Sequence, residues 1–198
     1  MWYDTTHGAR YALRSTEADA NAWEIYNYFH NLSPAWATES IAAMCGNFQH
    51  ESVMNPFIRY TTESGGFGLA QWITNKSNMI SWANGQGLTP TSGPAQVQYI
   101  DQERQGYDDQ WLRRGDYAQS FDSFAYNQQS MSVAQLTRCF NDCFERPNQW
   151  WPVRVTNAQY YYQLFGGTPP GPTPTANPWL YYRKRPWWRP GGRKYINA

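Results

Sequence analysis

Glu51 is the residue whose type and position best suit acid–base chemistry. It follows an apolar stripe at helical spacing, which consists of Ile41, Met44, Cys45 and Phe48. Asn55-Pro56 then stops the helix within about a turn. Burial and the negative end of the helix dipole both disfavour a carboxylate there, so we expect a raised pKa for Glu51 and a role as general acid. The spacing alone is also typical of an exposed glutamate at a fraying helix end.

The segment after this helix offers groups that could hold a ligand. The glycines within residues 65–68 allow the backbone to turn sharply and to approach a ligand closely. Gln71 offers both a donor and an acceptor, which suits a sugar hydroxyl or acetamido group. We therefore assign Gly66, Phe67 and Gln71 to substrate binding, across a cleft from Glu51.

Together the two segments resemble a known family. The runs "GNFQHES", "NP" and "GGFGLAQW" are similar to the motifs of phage tail lysozymes, the peptidoglycan-cleaving modules found at phage tail tips. More distantly they are similar to the Glu-Ser and Gly-Leu-x-Gln motifs of lytic transglycosylases and goose-type lysozymes. The runs "NAWEIYNYF", "SFDSF", "CFERP" and "RVTNAQYYY" also fall in the family's order, so the resemblance covers residues 15–165.

The resemblance implies a mainly α, lysozyme-like helical domain with a short irregular hairpin or loop lining the cleft. It implies cleavage of the β-1,4 bond between N-acetylmuramic acid and N-acetylglucosamine, with Glu51 protonating the leaving oxygen and with no cofactor or metal. A retaining hydrolase needs a second carboxylate about 5–5.5 Å away, and an inverting one about 6.5–9.5 Å away. Glu63 is the nearest candidate. A lytic transglycosylase needs none, and the sequence leaves both routes open.

Tyr126 and Asn127 form a further candidate pair. They resemble the Tyr-Asn pair that lines the cleft of lytic transglycosylases, although the glycine that usually follows is missing. We assign both to substrate binding. A packed tyrosine and a helix-ending asparagine are the alternative.

Other charged residues are interpreted as structural. Glu145 lies within a segment that the resemblance covers, and its position just before a proline favours an ion pair with Arg154 that fixes two helices. Asp101, Glu103 and Arg104 are expected to be solvated or paired on a helix face.

Composition limits the class of protein. The 198 residues suffice for one domain with a full core, and the aromatic content of 18% suits glycan binding as well as a core.

The chain starts without the basic and apolar runs of a secretory signal, and no stretch is apolar enough to span a membrane. We therefore expect synthesis in the host cytoplasm. Cys45, Cys139 and Cys143 are expected to be buried or free thiols, and with three histidines no zinc spacing appears.

Periodicity and breakers divide the chain into four parts: an arm (1–14), a lysozyme-like catalytic domain (15–165), a Pro/Gly-rich linker (166–178) and a basic aromatic tail (179–198). Within the domain, Ser33 and Pro34 predict the start of the helix that ends with Glu51. Further helices are predicted at residues 16–31, 75–83, 95–106 and 157–165, with others near Phe121 and between Val133 and Phe144.

The tail differs in charge from the rest of the chain. Six of the sixteen Lys and Arg, and none of the fifteen Asp and Glu, lie in residues 166–198. Six aromatic residues are interleaved with the basic ones, and so short a segment does not fold alone. We expect residues 179–198 to dock onto other phage tail proteins; binding to nucleic acid or another phosphate-rich polymer is possible but not favoured.

The sequence is compatible with three functions. The preferred one is a virion-associated lysozyme at the tail tip that opens the host wall locally during genome entry. A non-catalytic virion structural or wall-binding protein with a lysozyme-like cleft is the first alternative, and a free endolysin is the second. The partner in each case is the glycan strand of peptidoglycan.

Overall fold

The structure, a computed structural model, describes residues 2–3, 13, 15–58, 65–107 and 110–167. Its regular elements in these ranges are helical, which confirms the predicted mainly α fold. In chain order they are α1 (Ser15–His30), α2 (Thr38–Ser52), α3 (Lys76–Gly85), α4 (Gly93–Arg104), α5 (Phe121–Ala125), α6 (Val133–Phe140), a π-helical turn (Asn141–Glu145) and α7 (Val153–Leu164).

Helix α2 is the centre of the fold. The predicted stripe of Ile41, Met44, Cys45 and Phe48 is fully buried, and so are most of the residues between them. A helix that is buried on nearly all sides must be surrounded by other elements. Helix α7 makes the most extensive contact with α2, and α6 and α1 cover other sides.

The start of α2 differs from the prediction. The helix begins at Thr38, after Ala37, and not at Pro34. The preceding segment turns back onto α1, where the Trp36 amide donates to the Phe29 carbonyl (3.1 Å) and the two rings lie 4.1 Å apart. The Ala37 amide then donates to Ala125 at the end of α5 (2.9 Å). Long-range contacts therefore override the local helix-start signal.

Local capping explains where the later helices begin. Ser92, Ser120 and Ser132 each accept a hydrogen bond from the backbone amide three residues on, at the starts of α4, α5 and α6. Satisfying an otherwise unpaired amide in this way stabilises a helix by about 1 kcal/mol. These caps fix the starts of the three helices, of which α5 and α6 pack against α2.

The last helix closes the domain onto the first. Tyr160 donates to Asp19 (2.8 Å), and Phe165 stacks on Tyr26 with ring centroids 4.6 Å apart.

The three cysteines are buried and not in disulfides, as predicted. Most of the predicted arm, and all of the predicted linker and tail from residue 168 onward, lie outside the described residues. In the part that the structure describes, no helix combines the length and apolarity that crossing a bilayer requires.

Candidate active site

Glu51 lies in the last turn of α2, as the sequence predicts. Val53 follows with a left-handed backbone and ends the helix. The Glu51 side chain is 20% exposed, so it is neither buried completely nor open to solvent. Its carboxyl can therefore face a ligand while the rest of the residue is held by its neighbours.

Arg154 holds Glu51 from the neighbouring helix. Its guanidinium, 1% exposed, donates from Nη2 to Glu51 Oε1 and from Nη1 to Asn47 Oδ1 (3.1 Å). Asn47 stands one helical turn before Glu51 and also donates to the carbonyl groups of Ala43 (2.9 Å) and Thr137 (3.1 Å). The two α2 side chains thus present their oxygens to one planar guanidinium, a geometry that suits arginine and not lysine.

Gly46 explains how α7 comes so close to α2. A Cβ atom at this position would lie 2.5 Å from the Ala158 Cβ and 2.6 Å from the Arg154 carbonyl oxygen. Only glycine permits that approach of the two backbones. The approach brings Arg154 within reach of Asn47 and Glu51.

The predicted partner of Arg154 is wrong. The sequence favoured an ion pair between Glu145 and Arg154, whereas Arg154 pairs with Glu51. Among the described residues, no ion pair joins Glu145 to Arg154, although the positive charge of Arg154 does act to lower the pKa of Glu145. Glu51 is the partner of Arg154 because it lies on α2, the helix with which α7 makes its most extensive contact.

Glu145 nevertheless lies within electrostatic range of Arg154 and Glu51. It is the last residue of the π turn, and Arg146 follows in the left-handed region with its amide donating to Asn141 (2.7 Å). Burial raises the pKa of Glu145 well above its usual range, and the negative charges of Glu51 and Glu103 raise it further. π-helical turns often mark functional sites because the extra residue re-aims a side chain.

Glu103 brings a third carboxyl group to the same region. It lies in the last turn of α4 and is 3% exposed, so it is not solvated on the helix face. Its neighbours are paired as predicted, since Arg104 pairs with Asp101 (2.9 Å) and with Asp122 (2.7 Å). Glu103 and Asp101 are therefore both buried, whereas Arg104 is partly exposed.

The glycine loop is anchored beside the end of α2. Gln96, fully buried on α4, accepts from the Leu69 amide (2.8 Å) and donates to the Pro56 carbonyl (2.7 Å). Phe67 and Trp72 form an isolated antiparallel bridge, which matches the predicted short irregular hairpin. The Trp72 ring lies 6.5 Å from that of Phe144, the residue before Glu145. The loop thus connects the segment after Glu51 with the π turn.

Gln71 packs back against its own loop. Its amide nitrogen donates to the Gly68 carbonyl (2.7 Å), and a Cβ at Gly66 would lie 2.6 Å from its Oε1. That oxygen is buried and has no hydrogen-bond partner in the described part of the chain. Gly66 and Phe67 are buried as well. The three residues lie together, and their role in substrate binding stays a prediction.

The structure places Tyr126 and Asn127 away from Glu51. They follow α5, whose last carbonyl bonds Ala37 at the start of α2, about 20 Å along that helix from Glu51. Asn127 has a left-handed backbone, and its side chain bonds both the amide (2.7 Å) and the carbonyl (3.0 Å) of Met131. Such contacts suit the helix-ending role that the sequence left as the alternative.

Two further predicted features bear on the chemistry. Glu63, the predicted second carboxylate, lies outside the described residues. Within the described ranges, His, Cys, Asp and Glu form no group of three that could hold a metal ion. The described site contributes the carboxyl group of Glu51 and the guanidinium of Arg154.

Arg154, Asn47 and Glu145 are the site residues that sequence reasoning missed or misassigned. Asn47 carried a usable signal, because it is a polar residue on a buried face one turn before Glu51. Arg154 carried none that identifies its partner, which lies 103 residues away.

Comparison with known families places most of the chain in one family. The family model described as phage tail lysozyme matches residues 20–165. This match confirms the resemblance seen in the sequence, and it includes the helix of Glu51, the glycine loop, the π turn and α7.

Proposed function

Because the chain belongs to the phage tail lysozyme family, a group of peptidoglycan-degrading enzymes of the glycosidase type, we propose that it cleaves the β-1,4 bond between N-acetylmuramic acid and N-acetylglucosamine. Glu51 protonates the leaving oxygen in this proposal. The observation that supports it is a half-buried carboxyl at the end of the central helix, oriented by Arg154 within the matched segment.

The two oxygens of Glu51 have different roles in the proposed reaction. Oε1 accepts from Arg154, so the exposed part of the carboxyl can present Oε2 to the sugar. A proton delivered from Oε2 to the glycosidic oxygen lets the C1–O bond break, and Arg154 stabilises the carboxylate that remains. Gly66, Phe67 and Gln71 hold the glycan strand alongside, and their buried packing keeps that wall of the cleft in place.

Substitution of the acid tests this role. We expect Glu51→Gln to lower the rate of peptidoglycan solubilisation by about a hundredfold to ten-thousandfold, because the amide keeps the hydrogen bond to Arg154 but has no acidic proton. The measurement is turbidity loss of purified peptidoglycan, with Glu39→Gln in the first turn of the same helix as the control. If wild type and Glu51→Gln were equally inactive while both bound peptidoglycan, the protein would be a wall-binding component.

The products of the wild-type enzyme define the reaction further. Mass spectrometry of the released muropeptides distinguishes the two routes. Reducing ends indicate hydrolysis, whereas 1,6-anhydro ends indicate internal attack by the muramic 6-hydroxyl. Hydrolysis requires a second carboxylate, which acts either as the nucleophile or as the base that activates water. Glu63 is the candidate for this role.

We also propose that the protein acts from the virion. In this proposal, residues 15–165 form the catalytic domain, 166–178 are a linker and 179–198 dock onto another phage tail protein, so that the enzyme opens the wall at the tail tip during genome entry. Support comes from the family, which is that of phage tail lysozymes, and from the basic, aromatic composition of residues 179–198. Proteomics of purified particles tests the location, since a free endolysin would be absent from them.

A further inference from the structure

The buried guanidinium of Arg154 is held by few partners. Arg154 is 1% exposed, and within the described residues its guanidinium makes two hydrogen bonds, from Nη2 to Glu51 Oε1 and from Nη1 to Asn47 Oδ1 (3.1 Å). Its Nε is also buried and has no partner in that part of the chain. Water does not replace a lost partner at a buried charge, so each existing bond counts strongly. The orientation of this guanidinium therefore depends on Asn47 and Glu51.

The side chain of Asn47 is fixed by the backbones of two helices. Asn47 is fully buried, and its amide nitrogen donates to the carbonyl of Ala43 on α2 (2.9 Å) and to that of Thr137 on α6 (3.1 Å). Because a carbonyl only accepts hydrogen bonds, the nitrogen of the amide must face both of them, and its oxygen faces Arg154. Asn47 thus connects the backbones of α2 and α6 to the guanidinium on α7.

The two partners of Arg154 differ in what happens to their charge. Glu51, as the acid of the proposed function, has to carry a proton before the reaction and gives it to the leaving oxygen. A protonated carboxyl offers the guanidinium no negative charge, so the bond to Arg154 is weaker in the state that starts the reaction. The amide of Asn47 does not titrate. Its bond to Arg154 is therefore the one that persists in both states of the acid.

We propose that Asn47 is a positioning residue of the site: it holds the guanidinium of Arg154 against Glu51 both when Glu51 is protonated and when it is ionised. Arg154 is then already in place to stabilise the carboxylate as it forms, without a rearrangement at the moment of reaction. The link to catalysis rests on the proposed function. The anchoring of Arg154 does not, because it is a property of the folded protein.

NMR of the arginine side chains tests the anchoring without any substrate. The full chain is labelled with ¹⁵N and ¹³C in arginine, Arg154→Lys identifies the Arg154 signals, and exchange between its Nη groups measures how fast the guanidinium rotates. Glu51→Gln places a neutral group of the same size where the protonated acid would be. We expect slow rotation in the wild type and in Glu51→Gln, and rotation at least about tenfold faster when Asn47→Leu is added to Glu51→Gln.

Two results of this experiment would overturn the anchoring. Fast rotation in Glu51→Gln alone would show that the carboxylate, and not Asn47, holds Arg154. Slow rotation in the double variant would show that packing around Arg154 suffices without Asn47. If Asn47→Leu does not fold, Asn47→Ser takes its place, because the shorter side chain also lacks the reach to Arg154.

Steady-state kinetics test the consequence for catalysis. With soluble glycan strands from peptidoglycan as the substrate, we expect Asn47→Leu to lower kcat by about tenfold to a hundredfold and to leave KM within about twofold, because a misplaced Arg154 affects the charge that forms during the reaction and not the binding of the strand. Tyr161→Phe is the matched control. It removes the buried hydrogen bond from Tyr161 to Gln49 (2.6 Å), which also joins α7 to α2. We expect it to lower stability in urea, as Asn47→Leu does, with kcat unchanged.

The outcomes separate the two claims. An equal loss of kcat in Asn47→Leu and Tyr161→Phe, or a loss in Asn47→Leu that is confined to KM, would show that Asn47 only supports the packing of the helices and would contradict the proposal. If the wild type fails to cleave peptidoglycan, the proposed function fails, and the NMR comparison still decides whether Asn47 anchors Arg154.

Discussion

The carboxyl group of Glu145 makes the stability of the protein depend on pH. Burial raises its pKa in the folded state, so the folded protein keeps a proton that the unfolded chain releases. The free energy of unfolding is therefore highest below the ordinary pKa of a glutamate and falls as the pH rises, until the pH passes the raised pKa of the folded state. The slope from this one group is at most about 1.4 kcal/mol per pH unit.

Replacing this residue by its neutral isostere should remove that dependence. We expect Glu145→Gln to be more stable than the wild type near neutral pH, with a difference that grows with pH across the window between the two pKa values and is absent at acid pH. Urea denaturation at a series of pH values measures this. A wild-type stability that instead rises with pH relative to Glu145→Gln would contradict the raised pKa.

The sequence predicted the position of Glu51 at a helix end but not the group that holds its side chain. Glu51 could be found because an apolar stripe and a helix end are local signals, readable within a few turns of helix. Arg154 contacts it across 103 residues of chain. Charge partners so far apart cannot be read from spacing, which is why the sequence paired Arg154 with the nearer Glu145.

The contact between α2 and α7 depends on Gly46. Alanine is the better helix former by about 1 kcal/mol, but its Cβ would meet the Arg154 carbonyl and Ala158 at less than 3 Å. We expect Gly46→Ala to lower the free energy of unfolding by about 1–3 kcal/mol, because backbone atoms cannot give way without moving α7. Arg154 would move with that helix, so peptidoglycan cleavage should fall as well. Urea denaturation and turbidity assays measure the two effects.

Gly85 provides the matched control for this substitution. It is the last residue of α3, and a Cβ there would have nothing within 4 Å. Gly85→Ala should therefore be neutral or stabilising by up to about 1 kcal/mol, with unchanged cleavage. Equal stability of Gly46→Ala and wild type would mean that α7 does not lie this close to α2.

Helix ends could be predicted from the sequence where nearby residues determine them and not where long-range contacts do. The end of α2 was predicted at about Ser52 because Asn55-Pro56 follows it, and the structure ends the helix there with Val53 in the left-handed region. Its start was misplaced because Trp36 packs on Phe29 and the Ala37 amide bonds α5. The π turn at Glu145 was not predictable, since its extra residue is accommodated by packing around Phe144 and not by a turn-forming sequence.

The last described helix packs back onto the first near Phe165. That ring is 7% exposed and stacks on Tyr26 of α1, so the last helix returns to the first. The core elements, the ion pair of Glu51 with Arg154 and the glycine loop all precede this point. Folding and cleavage should therefore not require the basic segment that follows.

Removing residues 168–198 separates the two proposed functions of the chain. We expect a chain of residues 1–167 to solubilise peptidoglycan within about twofold of the full chain, because every described contact of the site is retained. It should fail to join virions in a complementation experiment, since the segment with six basic and no acidic side chains is lost. Incorporation of the full chain should weaken at high salt, which screens charges on exposed segments. A truncated chain that still enters particles would assign docking to the helical domain, whose net charge is negative, and would refute a role for residues 179–198.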